Sequence, residues 1–210
     1  MLHLISAAPS PFARKVRVVL LEKEIPFELA LDVPWNPDTV TQVHNPLAQA
    51  PVLILENGVP VYDSRVIVEY LDELEPEPRL IPADPAARVA VKQIEALADG
   101  VCQAVVLTFL ERHRPPGQQS QGWIDRQVRK VVAGTAEVER LLGTEETLAG
   151  QEFSLADVAV VCMLGYADLR LPDVDWRGPN PRLARFADRL AERPSFRQTL
   201  PEPQQVPPLA

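Results

Sequence analysis

The spacing of apolar residues changes part-way along the chain, and the change divides it in two. Residues 2–7 form a short apolar run that stops at Ala8-Pro9-Ser10-Pro11. Phe12, Val16, Val19 and Leu20 then recur at the spacing of one helical face, with Arg14, Lys15, Arg17, Glu22 and Lys23 between them, so the pattern predicts a strand followed by a helix. Ser10 before Pro11 is a helix-start signature: a hydroxyl that accepts from a free amide, then a residue with no amide to leave unpaired. Residues 27–33 read as a second strand. A proline-rich connection (Pro34, Pro37, Asn45-Pro46) leads to a third run at 50–55, and Asn57-Gly58 joins it to a fourth at 59–62. Asn-Gly between β-rich runs predicts a tight hairpin, hence antiparallel neighbours. Asp63-Ser64 caps a periodic helix carrying Val66, Ile67, Tyr70, Leu71 and Leu74.

Four prolines between 76 and 85 mark a boundary, and beyond it the period is helical almost throughout. Long helices are predicted over 88–113 and 123–142, a third from Ser154 and a fourth over 182–192. Ser154-Leu155-Ala156-Asp157 reads as a capping box with aspartate in the place of glutamate or glutamine. The expected layout is an α/β domain over 1–78, a linker over 79–86, an all-α domain over 87–200 and a tail or surface strap over 201–210.

Composition narrows the function. The chain has 210 residues, 46% of them hydrophobic, which is enough for a sizeable core. Net charge is 21 − 29 = −8 with no run of Lys or Arg, so nucleic acid is not an expected partner. The longest apolar stretch, 158–167, is too short to cross a bilayer. Met1-Leu2-His3-Leu4-Ile5 has no basic residue ahead of its apolar ones, so no signal peptide is expected and the setting reads as cytoplasmic. Cys102 and Cys162 match no metal or redox spacing, and His3, His44 and His113 do not cluster, so no metal is expected. Gly-rich phosphate loops and metalloprotease motifs are missing from the sequence.

Three places carry chemistry of interest. Ser10 stands at a strand-to-helix turn, where open amides and the positive helix end favour an anion, and Arg14, Lys15 and Arg17 add charge nearby. Pro51 enters a strand, a position that suits a cis bond or an edge strand. Asp63 beside Ser64 at a helix start is suited to an amino-acid zwitterion, the carboxylate taking the ammonium and the serine with the helix amides taking the carboxyl group. Taken singly, each is better explained locally: two good caps and an edge proline.

Their order along the chain resembles the glutathione transferase superfamily, in its bacterial serine-type members. Ser10-Pro11-Phe12-Ala13-Arg14-Lys15-Val16-Arg17 is similar to the turn that carries that family's thiol-activating residue. Asn45-Pro46-Leu47 with Ala50-Pro51-Val52-Leu53 is similar to its cis-proline segment, Asp63-Ser64 with Ile67 and Tyr70-Leu71 to its third helix start, and Phe153-Ser154-Leu155-Ala156-Asp157 to its C-terminal capping box. The resemblance implies a thioredoxin-like β-α-β-α-β-β-α domain followed by helices, a homodimer, and glutathione as co-substrate. Ser10 would then donate to the glutathione sulfur. Ala50 and Pro51 would pair its cysteinyl part, and Asp63 and Ser64 would hold its γ-glutamyl end, with Gln49 and Phe12 assisting. Trp35 and Phe109 would wall an electrophile pocket. A free thiol near pKa 8.5 is about 3% thiolate at pH 7, and lowering it two units needs roughly 2.7 kcal/mol. One hydrogen bond to a charged group supplies about 1.5–3 kcal/mol, so a hydroxyl is sufficient in magnitude. Redox-active relatives carry cysteine where this chain has Ser10 and Ala13, which disfavours chemistry through a protein disulfide. The implied activity is a glutathione transferase acting on a small, largely apolar electrophile. A glutathione-dependent isomerase or peroxidase and a non-catalytic binding module are the alternatives.

Overall fold

The structure, a computed structural model, describes residues 1–150 and 152–205. These form two compact units, residues 1–80 with 194–205, and residues 81–193. In the first, β1 (Leu2–Ser6), α1 (Pro11–Glu22), β2 (Phe27–Leu31), α2 (Thr41–His44), β3 (Val52–Ile54), β4 (Pro60–Val61) and α3 (Ser64–Leu74) follow in the expected α/β order. The sheet runs β2-β1-β3-β4, with β1 parallel to β2 and antiparallel to β3, and β3 antiparallel to β4. Leu4, Val52 and Leu53 on the sheet, Val16, Val19 and Leu20 on α1 and Ile67, Val68 and Leu71 on α3 are all buried. Each such side chain contributes about 1.5–3 kcal/mol on leaving water. The Asn57-Gly58 turn closes with Gly58 N donating to Leu55 O at 2.8 Å, and Gly58 takes φ +81°, a value that disfavours any side chain. Ala50–Pro51, Tyr62–Asp63 and Glu77–Pro78 are cis peptide bonds.

Residues 194–205 return to this first unit. The short helix α8 (Pro194–Arg197) places Phe196 at 0% exposure. Arg14 Nη2 donates to Phe196 O at 3.3 Å and Arg14 Nε to Thr199 Oγ1 at 3.5 Å. Arg17 Nη2 donates to Gln198 O at 3.1 Å, and the Ser195 hydroxyl to the Glu22 carboxylate. Further on, Glu202 N reaches Ala8 O at 3.5 Å and Gln204 Nε2 reaches Asp32 O at 3.0 Å. The sequence reading assigned residues up to 200 to the helical domain; 194–200 group instead with the first unit, because Phe196 fills its core and the α1 arginines take acceptors there. The segment 201–205 is a strap, and 206–210 of the expected tail lie outside the described residues.

The second unit contains α4 (Pro85–Arg112), a 3₁₀ turn (Pro116–Gln118), α5 (Gln121–Leu142), α6 (Leu155–Arg170) and α7 (Pro181–Ala191). Asp84 and Ser120 cap α4 and α5, accepting from Ala87 N at 2.9 Å and Trp123 N at 3.4 Å. α4 packs on α5 and α6. By length and composition alone α4 is apolar enough to cross a membrane; Val91, Ala98, Val101, Ala104 and Val105 are buried in this unit. Asp157 completes the capping box of α6: its carboxylate accepts from Ser154 N at 2.7 Å, Ser154 Oγ at 3.0 Å and Leu148 N at 2.9 Å. Burial pushes its pKa up against the pull of those donors.

Candidate functional site

Strand register decides which loops meet in the first unit. Ser6 pairs Leu31 in the parallel β1–β2 ladder, Ile5 pairs Val52 and Leu53 pairs Val61. The C-terminal ends of β1, β2 and β4 therefore lie beside the N-terminal end of β3. From that one edge of the sheet emerge the turn to Ser10, the loop after Asp32, the Ala50–Pro51 approach to β3 and the Asp63–Ser64 start of α3.

Ser10 caps α1, its Oγ accepting from Ala13 N at 3.2 Å. A hydroxyl that accepts still has its own proton to give, and among the described residues Ser10 Oγ donates to no partner. Pro11 has no amide, so Phe12 N–H is the first of the helix and has no acceptor within it. Capping and anion binding are thus compatible uses of the same half-buried serine. Asp63 caps α3: Oδ1 accepts from Arg65 N at 2.9 Å and from Ser64 Oγ at 3.2 Å, and Arg65 Nε stands 3.7 Å away. Its carboxylate is exposed while Ser64 is 2% exposed. The Asp63 carboxylate, turned to water, keeps acceptor capacity for a cation, and the Ser64 hydroxyl proton is already donated to it.

Asn45, named in the sequence only as part of the cis-proline segment, and Asp32, which the sequence did not single out, shape the surrounding loops. Asn45, buried, donates from Nδ2 to Gln49 O at 2.8 Å and accepts from Leu47 N at 3.0 Å, which sets the backbone course just ahead of Ala50. Its signal was the Asn-Pro dipeptide. Asp32 gathers Val33 N (2.8 Å), Thr39 Oγ1 (2.5 Å), Thr41 N (2.9 Å) and Thr41 Oγ1 (2.5 Å) on one carboxylate. Burial alone would raise its pKa, but the two hydroxyls and two amides together hold it below the usual carboxylate range. This hub pins the loop that carries Trp35, which is 48% exposed.

The cations of the first two turns of α1 are not free: Arg14 and Lys15 are 4% and 1% exposed, and Arg14 and Arg17 donate to neutral backbone oxygens of the strap. Phe12 is half-buried on α1, Gln49 is exposed, and Phe109 lies on α4 in the second unit. Among the described residues no three His, Cys, Asp or Glu side chains converge as metal ligands.

Comparison with known proteins decides the family. The sequence model of the glutathione S-transferase N-terminal domain matches residues 9–74, and that of the C-terminal domain matches residues 121–189. The chain belongs to the glutathione S-transferase family. It is 36% identical over 200 residues to the uncharacterized GST-like protein YibF of Escherichia coli, covering 95% of this chain and 98% of that one. A glutathione S-transferase from Methylobacterium radiotolerans, solved in complex with glutathione sulfonate, superposes with a TM-score of 0.96 at 46% identity, covering 100% of this chain and 99% of the other. A second, from Methylobacillus flagellatus with glutathione bound, gives 0.93 at 44% identity, covering 96% and 100%. The fold read from the sequence, a four-stranded α/β domain followed by helices, is thereby that of glutathione transferases.

Proposed function

We propose that this protein is a glutathione transferase in which Ser10 stabilises the thiolate of bound glutathione for attack on a small electrophile. The observation that carries the reading is the convergence of Ser10, Ala50–Pro51 and Asp63–Ser64 at one sheet edge in a chain whose 46%-identical neighbour was solved with glutathione sulfonate. In this reading Ser10 Oγ donates to sulfur, and the Phe12 amide and the α1 dipole add positive potential worth about 0.3–1 kcal/mol. Ala50 pairs the cysteinyl backbone as a short added strand. Asp63 takes the γ-glutamyl ammonium, Ser64 and the α3 amides take its carboxylate, and Gln49 closes that end. Glutathione supplies the nucleophilic sulfur; with a chloronitroaromatic, the sulfur–carbon bond forms as chloride leaves with its bonding pair, the thiol proton having passed to solvent. Trp35, exposed on the loop after β2, borders the electrophile subsite. A cytoplasmic homodimer is the form in which the family resemblance has it act.

The test is conjugation of glutathione to 1-chloro-2,4-dinitrobenzene, with retention on immobilised glutathione measured in parallel. Wild type is expected to be retained and to turn over, and Ser10→Ala to be retained but to lose about 10²-fold or more in kcat, as expected when a hydrogen bond to a charged group worth about 2–3 kcal/mol is lost. Retention without turnover in the wild type would favour the binding-module alternative.

A further inference from the structure

Asn45, 3% exposed, ties down the loop ahead of β3 with both its side chain and its backbone. Its Nδ2 donates to Gln49 O at 2.8 Å, its Oδ1 accepts from Leu47 N at 3.0 Å, and its carbonyl accepts from Ala48 N at 2.8 Å. These bonds bracket Ala48, which takes φ +50°, a left-handed value that an L side chain adopts only when its surroundings hold it there. Ala50, two residues on, is different. Among the described residues neither its N–H nor its C=O has a hydrogen-bond partner, although it is half-buried. An open donor and acceptor on one residue leading into a strand is an edge to which an extended peptide adds.

Asn45 is itself fixed from β2. Its N–H donates to Thr41 O at 2.9 Å, and Thr41 is held at N and Oγ1 by the Asp32 carboxylate, at 2.9 and 2.5 Å. Asp32 in turn continues the β1–β2 ladder, its N donating to Ser6 O at 2.9 Å. The relay Asp32–Thr41–Asn45 therefore starts on the sheet and ends beside the open edge, and it lies wholly within the first unit. We propose that Asn45, fixed by Asp32 through Thr41, is a positioning residue that holds the Ala50 backbone ready for the cysteinyl part of glutathione. The inference rests on the reading that Ala50 pairs that part of the tripeptide; it adds that affinity is governed by side chains acting through the loop backbone. A loop already in its bound conformation needs no ordering when the ligand arrives, whereas one that samples others binds more weakly in proportion to its competent fraction.

The experiment titrates glutathione calorimetrically into the full chain as wild type, Asn45→Asp and Asp32→Asn, with Phe196→Ala as a control that lowers stability outside the relay. Asn45→Asp keeps the acceptor for Leu47 N and loses the donor to Gln49 O. The Kd for glutathione is expected to rise about tenfold in Asn45→Asp and about fivefold in Asp32→Asn, and to stay within about twofold in folded Phe196→Ala. A Kd within about twofold of wild type in either folded relay variant overturns the proposal, as does an equal rise in the control. If Asn45→Asp does not fold, Asp32→Asn decides alone. With 1-chloro-2,4-dinitrobenzene, KM for glutathione should rise in step with Kd while kcat stays within about twofold, since Ser10 is untouched; a fall in kcat at unchanged KM overturns the positioning role. Without ligand, the Leu47 and Ala48 amides should lose exchange protection in Asp32→Asn, and unchanged protection breaks the relay. A wild type that binds no glutathione defeats the reading of the site and this inference together. A wild type that binds, with relay variants that bind equally well, defeats the inference alone.

Discussion

Lys23 and Asp72 form an ion pair of 2.7 Å in which both side chains are almost completely shielded from solvent, at 0% and 2% exposure. The remaining Nζ protons go to Glu75 O at 2.7 Å and Pro78 O at 2.9 Å, and Asp72 Oδ1 also accepts from Leu80 N at 2.9 Å. One ammonium thus ties the C-terminal end of α1 to that of α3 and to the chain leaving the first unit. Removing one member of such a pair leaves a buried charge uncompensated, so Lys23→Met is expected to cost about 3–5 kcal/mol, measured by urea unfolding. A loss under about 1 kcal/mol would mean that water reaches Asp72.

The C-terminal strap is expected to act through stability. Phe196→Ala removes a fully buried ring and should cost about 3–5 kcal/mol. Arg14→Gln should destabilise as well, yet leave the glutathione dissociation constant of the folded fraction within about twofold and its salt dependence unaltered, since the guanidinium faces Phe196 and Thr199. A salt-sensitive loss of glutathione affinity at unchanged stability would restore the anion-steering role that the sequence suggested.

Asp32 links loop order to pH. Its folded-state pKa lies below the ordinary aspartate value of 3.8, so its contribution is present above that value and is lost as pH falls through the lower, folded one. Protection of the Thr41 amide from hydrogen exchange should therefore hold down to about pH 4 and then decline. In Asp32→Asn, which loses acceptor contacts worth about 0.5–1.5 kcal/mol each, protection should be weak at every pH with no acid step. A step retained in the variant would assign the titration elsewhere.

Gly134 on α5 marks a close helix crossing. A β-carbon there would stand 2.2 Å from Val101 Cγ2 on α4, closer than any real contact. Gly134→Ala gains about 1 kcal/mol of helix propensity but is expected to be destabilising overall by about 1–3 kcal/mol, read from thermal melts. Pairing it with Val101→Ala should recover most of the overpacking part of that loss, because the clashing methyl is gone.

The elements legible in the sequence were those whose signals are local. The period of 3.6 on α1 and α3, the Asn57-Gly58 hairpin and the caps at Ser10, Asp63 and Ser154 need no knowledge of distant residues. What escaped were partnerships across the chain. Arg14 and Lys15 carry the charge pattern of a solvated face, and only acceptors some 182 residues further on turn Arg14 inward. Lys23 meets Asp72 only once α1 and α3 pack. Asp32 reads as an ordinary loop aspartate until Thr39 and Thr41 fold back upon it.

The return of residues 194–205 to the first unit has a bearing on how the protein is made. Synthesis runs from the amino end, so the Ser10 turn and the Asp32 hub emerge from the ribosome early, while Gln204 and Glu202, which brace them, follow only after four long helices. Bracing of the candidate edge therefore waits on residues made after the helical unit, and a nascent chain halted within that unit holds the serine without its brace.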